Sequence, residues 1–336
     1  MRGVDASLQS LDEVLERADG RLRAGSSAGR QVWPTGFDIL DKHLDGGFRS
    51  GDLVLLGGPQ GLGKTTWALQ TARNVALSGR SVVFFSYEHD PESLLVRLIA
   101  LEAGLVGGVE APGLNRVRAA FEVADGRVGS LAERLQGTVG GAKAVGVVQE
   151  YAARIVLHRS TGSNTTLEVL RDLVADVEER TGQRPLVVVD YLQKVRSLDP
   201  RRSEDEQIAL VVEGLKDLAL DRELPILAVV AAVKPTAESG KRVRVSNLRG
   251  SSALAYEADT VLILNNKYDV VARHHLVYDL GNAERFRRWA VLSIEKNRSG
   301  RDGVELEFQK RFEHSLFAPE GQLVTEQLVD ERVFVE

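Results

Sequence analysis

Residues 53–69 read LVLLGGPQGLGKTTWAL. The apolar run Leu53–Leu56 predicts a short buried strand. Trp67, Ala68 and Leu69 belong to an apolar pattern that predicts a helix over Lys64–Leu77. Between the two lies Gly58-Pro59-Gln60-Gly61-Leu62-Gly63-Lys64-Thr65, which fits G-x-x-x-x-G-K-[ST] with the strand before it and the helix after it. Glycines at 58, 61 and 63 let backbone N–H groups curl around phosphate oxygens, and the positive end of the following helix favours the same anion. In such a loop Lys64 reaches the β- and γ-phosphates, the Thr65 hydroxyl ligates Mg²⁺, and Thr66 continues the cradle. A chance glycine-rich turn is the bland reading, and the flanking strand and helix argue against it.

Further along the chain, Leu186-Val187-Val188-Val189-Asp190 is a second apolar strand pattern that ends in a carboxylate. In an open α/β sheet, ligands collect at the carboxyl ends of the strands, so Asp190 is a candidate partner of Thr65 for Mg²⁺. Glu88 follows the strand pattern Val82–Phe85. By itself it reads as a solvated loop glutamate. Beside a phosphate loop it becomes a candidate base for a water attacking the γ-phosphate.

Further strands are expected at Ile155–Leu157, Ile226–Val230, Val261–Leu264 and Val291–Ile294, with helices at Thr166–Arg180 and Asp205–Leu220. This alternation predicts an α/β fold with a mostly parallel sheet covered by helices on both faces. Residues 104–150 are rich in Gly and Ala and read as an elaboration with helical fragments at Leu114–Val123 and Leu131–Leu135. Residues 1–23 form a separate unit, with Leu8, Leu11, Val14, Leu15, Ala18 and Leu22 spaced as one helical stripe. Residues 24–32 follow as a small, polar, flexible linker. The stripe must pack either on its own domain or on a neighbouring subunit.

Composition narrows the class. With 43% hydrophobic and 27% charged residues, the 336-residue chain is globular rather than disordered. It has no cysteine, which excludes disulfides, iron–sulfur clusters and cysteine-ligated zinc. The longest apolar run, Leu224–Val233, is about half of what a bilayer crossing needs, and no apolar h-region opens the chain. The expectation is a cytoplasmic protein without a membrane segment. His274-His275 reads as a surface pair. A net charge of −5 argues against wholesale coating of nucleic acid, but Lys234, Lys241, Arg242, Arg244 and Arg249 are concentrated in one loop that continues to Gly250 and Ser252. That loop is either a solvated basic loop or a phosphate contact.

Taken in order, these pieces resemble the motor domain of the DnaB-type replicative DNA helicases, within the RecA-like P-loop ATPases. The resemblance is carried by Trp33-Pro34-Thr35-Gly36-Phe37-Asp38, the phosphate loop, Ser86-Tyr87-Glu88, Asp190-Tyr191-Leu192-Gln193, Ser246-Asn247-Leu248-Arg249-Gly250-Ser251-Ser252 and Lys296-Asn297-Arg298-Ser299-Gly300. It covers residues 8–318, with the motor domain at 33–318 and a tail at 319–336 beyond it.

The resemblance implies ATP and Mg²⁺ as ligands, Glu88 as the catalytic glutamate, and Lys296 and Arg298 as the basic pair reaching the γ-phosphate on the adjacent subunit. Read without it, that pair is equally two edge-strand charges. The resemblance also implies a hexameric ring, a linker helix (residues 8–22) docked on the neighbour, and single-stranded DNA against the 234–252 loop.

Three departures accompany it. Ala231 stands where the family places a γ-phosphate-sensing glutamine, and Gly250 stands where an acidic residue is usual. The chain also starts at the linker helix, which predicts no primase platform. The basic 234–252 loop and Glu88 favour the first reading, a ring-forming ATPase that hydrolyses ATP at subunit interfaces to translocate on or unwind DNA. Ala231 and the absent N-terminal domain favour the alternative, a regulatory or scaffold ATPase resembling the KaiC and RadA branches. The apolar tail is left as a cap on the sheet edge or an element that binds an unknown protein partner.

Overall fold

The computed structural model describes residues 8–25, 28–123, 126, 128–196, 202–232, 241–277 and 280–331. Helix α1 (Leu11–Arg23) is started by Ser10, whose hydroxyl accepts from the Glu13 N–H while Glu13 accepts from the Ser10 N–H. The body begins at Arg30, whose guanidinium pairs with Asp52 at 2.6 Å. Two short strands, β1 (Val32–Trp33) and β2 (Phe48–Arg49), flank α2 (Asp38–His43).

The main sheet follows. Strands β3 (Leu53–Gly57), β4 (Val82–Ser86), β5 (Ile155–Arg159), β6 (Leu186–Asp190), β7 (Ile226–Val229) and β8 (Thr260–Asn266) are all parallel. Strands β9 (Trp289–Asn297) and β10 (Val304–Arg311) extend it antiparallel, and the short β11 (Leu316–Phe317) and β12 (Gln322–Leu323) both pair with β10. The order is β11-β10-β9-β8-β3-β7-β6-β4-β5, which puts β3 at the centre, between β8 and β7.

The parallel strands are apolar at successive positions because both faces are covered. Along β3, Val54 and Leu56 point into a core shared with α3 (Lys64–Leu77) and α4 (Pro91–Gly107), while Leu53 and Leu55 point the other way, toward α8 (Leu167–Thr181) and α9 (Glu204–Arg222). The first core is keyed by Trp67, stacked on Phe37 at 3.8 Å between ring centroids and edge-on to Phe308 and Phe317. That cluster holds the helix after the phosphate loop in place.

The elaboration contains α5 (Leu114–Ala119), α6 (Leu131–Leu135) and α7 (Gly141–Tyr151). Sequence periodicity does not reveal α7, because Gly141 and Gly146 lower its intrinsic helicity. Burial of Ala144, Val145, Val148 and Tyr151 in the core shared with α4 decides it. Beyond β7 come α10 (Ser251–Glu257), α11 (Lys267–Val270), α12 (His274–Val277) and α13 (Leu280–Arg287). No helix among the described residues is long and apolar enough to cross a membrane.

Helix α1 buries none of its residues, and Leu11, Leu15 and Leu22 are 84%, 60% and 61% exposed. Among the described residues, therefore, the stripe is not packed on its own domain. The tail does lie on the sheet edge, through β12 on β10 and through contacts that continue to Glu331. Its apolar end, Val333–Val335, lies outside the described residues, as do Val233 and Lys234.

Candidate functional site

The phosphate loop leaves β3 at the carboxyl edge of the sheet. Gly58 has φ 144°, and a Cβ there would come within 2.5 Å of the Leu264 carbonyl oxygen of β8, so the loop can press against the neighbouring strand only with glycine. Gly63 closes the loop as the N-cap of α3, and Gly61 shares its left-handed backbone. The Lys64 ammonium donates to the carbonyls of Gly58 and Pro59 at 2.8 Å each. Thr66 is buried in the first turn of α3.

The Thr65 hydroxyl donates to Asp190 Oδ2 at 2.7 Å, a contact between residues 125 apart in sequence that the sheet topology creates. Asp190 is 1% exposed. Burial pushes its carboxyl up to about 6, aided by the charge of Glu88 and opposed by the Thr65 hydrogen bond and by Lys64 and Arg97. Burial conversely lowers Lys64, with Asp190 and Glu88 acting against it. Lys64, Thr65, Asp190 and Glu88 thus share one electrostatic environment at one edge of the sheet. Glu88 is exposed at its rim.

A buried carboxyl held against a threonine hydroxyl suits a hard divalent cation. Mg²⁺ takes one or two carboxylates and completes its shell with water and substrate phosphates, so this pair fits it.

Lys296 and Arg298 are elsewhere. They lie at the end of β9, which runs antiparallel to β8 and so ends at the opposite, amino edge of the parallel strands. The Lys296 ammonium donates to the carbonyls of Ala255 and Tyr256 in the last turn of α10, at 2.7 and 3.1 Å. Arg298 donates to the Tyr256 carbonyl at 2.6 Å and pairs with Asp259 at 3.3 Å. Asp259 in turn accepts from the Leu53 N–H at the start of β3, 2.8 Å away, and from Lys216 at 2.6 Å. The whole length of β3, about 13 Å at ~3.3 Å per residue, separates this cluster from the phosphate loop.

The basic loop requires a correction. Arg242 was expected at a nucleic-acid surface, yet its side chain is 4% exposed, pairs with Glu305 and donates to Ser293 Oγ at 2.9 Å. It is a buried cation neutralised by the sheet and so belongs to the fold. Arg244 pairs with Glu295 and Asp330 at 3.1 and 2.7 Å, Lys241 with Glu331 at 3.5 Å, and Arg249 with Glu204 at 2.8 Å. Gly250 is the N-cap of α10, and Ser252 is exposed in its first turn.

Three residues given no role by sequence reasoning enter the site's surroundings. Arg97 on α4 is half-buried within electrostatic reach of Asp190 and Glu88, and lies 3.5 Å from Ser315 Oγ. Gln193 accepts from the Ala231 N–H at 3.1 Å, and its amide nitrogen reaches the carbonyls of Ala231 and Arg249 at 3.4 and 3.5 Å. Asp259 anchors Arg298. Gln193 stands inside the Asp190-Tyr191-Leu192-Gln193 motif, which was the available signal, and Asp259 lies just before the expected strand Val261–Leu264. Nothing in the sequence marks Arg97.

Residues 33–316 match the family described as the DnaB-like helicase C terminal domain. This chain belongs to that family. The DnaB-like chain is 29% identical over 281 residues to the replicative DNA helicase DnaB of Treponema pallidum (strain Nichols), an alignment covering 83% of this chain and 54% of the relative. It is 31% identical over 292 residues to that of Rhodothermus marinus, covering 84% of this chain and 28% of the relative. The DnaB-like chain spans about half the length of the first curated relatives it matches. A solved DnaB-like replicative helicase, described with its interactions with primase, shares the fold at a TM-score of 0.71 and 20% identity, over 92% of this chain and 68% of that one.

Proposed function

We propose that this chain is the ATP-hydrolysing motor of a ring, in the family's manner a hexamer, that moves on single-stranded DNA. The observation that carries the reading is the split of the chemistry between two edges of one sheet. Lys64, Thr65, Asp190 and Glu88 stand at the carboxyl edge, whereas Lys296 and Arg298 stand at the amino edge. One chain therefore cannot present both sets to one triphosphate, but two chains stacked edge to edge can. The exposed stripe of α1 supports such stacking, because it needs an apolar partner and its own domain does not supply one.

In this mechanism the loop amides and Lys64 bind the β- and γ-phosphates. Thr65 and Asp190 would hold Mg²⁺, which supplies charge neutralisation on those phosphates. Glu88 orients the attacking water and accepts its proton. Arg298 of one subunit, with Lys296 beside it, neutralises the charge that develops on the phosphoryl group in the next. A guanidinium delivered in trans makes turnover conditional on assembly. Arg249, Lys241 and Arg244 face the nucleic-acid backbone with Gly250 and Ser252, while Arg242 stays in the fold.

Mixing two dead variants tests the shared site. Lys64→Ala and Arg298→Ala should each abolish ATP hydrolysis stimulated by oligothymidylate. An equal mixture allowed to reassemble should recover about a quarter of the wild-type rate, the share of interfaces that pair an intact loop with an intact arginine. A mixture as dead as its components, or an Arg298→Ala variant with full activity, would overturn the reading.

A further inference from the structure

The tail follows one continuous path. Gln322 and Leu323 pair with Glu307 and Leu306 of β10. Glu326 accepts from the buried Lys267 ammonium at 2.6 Å, and the Gln327 carbonyl accepts from the Ala272 N–H at 2.8 Å. The Val329 N–H then donates to the Val270 carbonyl at 2.8 Å. These anchors deliver Asp330 and Glu331 to the basic loop. The Asp330 carbonyl accepts from the Arg242 N–H at 2.8 Å. Its carboxylate accepts from Arg244 Nη2 and Nε at 2.7 and 2.9 Å, and Glu331 pairs with Lys241. The tail residues 322–331 lie beyond those that match the family, whereas their partners lie within it.

We propose that residues 322–331 are an acidic strap that competes with nucleic-acid phosphates for Arg244 and Lys241, and so sets how readily the loop engages single-stranded DNA. The inference rests on the reading that the 241–252 loop contacts DNA. Its physical basis is the contrast between the two halves of the strap. The near half is held by strand pairing and by a lysine that is 3% exposed. The far half keeps the backbone contacts of Asp330 with Arg242 and of Glu331 with Lys241, but its carboxylates, 70% and 61% exposed, are held only by side-chain ion pairs. Exposed ion pairs are weak and salt-screened, so a phosphate can displace them. The anchored half keeps the displaced carboxylates at high local concentration, ready to return. Arg244 also retains Glu295 at 3.1 Å, which keeps its guanidinium oriented when Asp330 leaves.

The test is binding of fluorescein-labelled oligothymidylate to the full chain across a salt series, for wild type, Glu331→Ala and Asp330→Ala/Glu331→Ala, with thermal unfolding to confirm an unchanged fold. The double variant is expected to bind roughly tenfold more tightly at low salt. The slope of log K against log salt should steepen by about 1.4, since each cation freed for a phosphate contributes ~0.7 on single strands. Glu331→Ala should give about half that change in slope. Equal affinity and slope in wild type and double variant overturn the strap and leave the DNA reading standing. Weaker binding by the double variant also overturns it, because the tail would then be supporting the loop. Absence of salt-sensitive binding in every variant overturns the DNA reading and the strap together.

Discussion

At the scale of single residues, Asp190 shows how a site is made at the expense of stability. A carboxyl ordinarily ionises near 3.8, and burial in this fold holds Asp190 to about 6. Between those values the folded chain keeps a proton that the unfolded chain has released. Stability therefore falls as pH rises through this window, and the penalty is complete above it. Asp190→Asn keeps an acceptor for Thr65 and removes the charge. It should raise the stability of the nucleotide-free protein by about 1–3 kcal/mol at pH 8, and the gain should shrink to about 0.5 kcal/mol or less at pH 4. Urea midpoints at the two pH values measure this, and a loss of stability at pH 8 would contradict it. The same substitution should abolish Mg²⁺-dependent hydrolysis. Residues that hold charge in the dry part of the sheet for structural reasons behave differently: Arg242 has its carboxylate, Glu305, beside it.

At the scale of elements, α10 joins two parts of the proposed machinery. Its N-cap, Gly250, ends the basic loop, and its last carbonyls, at Ala255 and Tyr256, receive Lys296 and Arg298. A helix of this length is a rod of about 10 Å, so a displacement of the loop carries to the arginine. Gly250 has φ 80°, and a Cβ there would lie 2.5 Å from Ile208 Cγ2 on α9. Gly250→Ala should therefore cost about 1–3 kcal/mol of stability. It should also depress the DNA-stimulated rate of ATP hydrolysis more than the unstimulated rate, which paired steady-state assays would detect. Gln193 ties the carboxyl end of β7 to the same loop through the backbone of Ala231 and the Arg249 carbonyl. A connection between strand and loop thus persists where the side chain at 231 is only a methyl group.

At the scale of the whole molecule, α1 stands outside the core and the sheet presents two chemically different edges. Deleting residues 8–22 should leave the unfolding free energy unchanged within about 0.5 kcal/mol, because none of those residues is buried in the chain. It should convert the assembly formed with Mg²⁺ and nucleotide to monomers or open oligomers, as read by light scattering. A deletion that unfolds the body would show that α1 packs on its own chain. One that leaves the assembly intact would remove the helix from the interface.

Much of this was legible in advance. Continuous Val, Ile and Leu runs specify strands buried on both faces, and the run from Leu53 through Leu69 specifies strand, phosphate loop and helix, since hydrophobic period and glycine placement are local properties. Local pattern alone therefore specifies the sheet class, the loop that cradles phosphate, and the candidate carboxylates at 88 and 190. Which charges meet is settled by the folded topology. Crossover connections brought Thr65 to Asp190, and an antiparallel strand carried Arg298 to the far edge of the sheet. The tail's path along β10 put Asp330 and Glu331 on the basic loop and left Arg242 buried beneath it. Long-range pairing depends on strand order and direction, and a linear pattern of residue types carries neither.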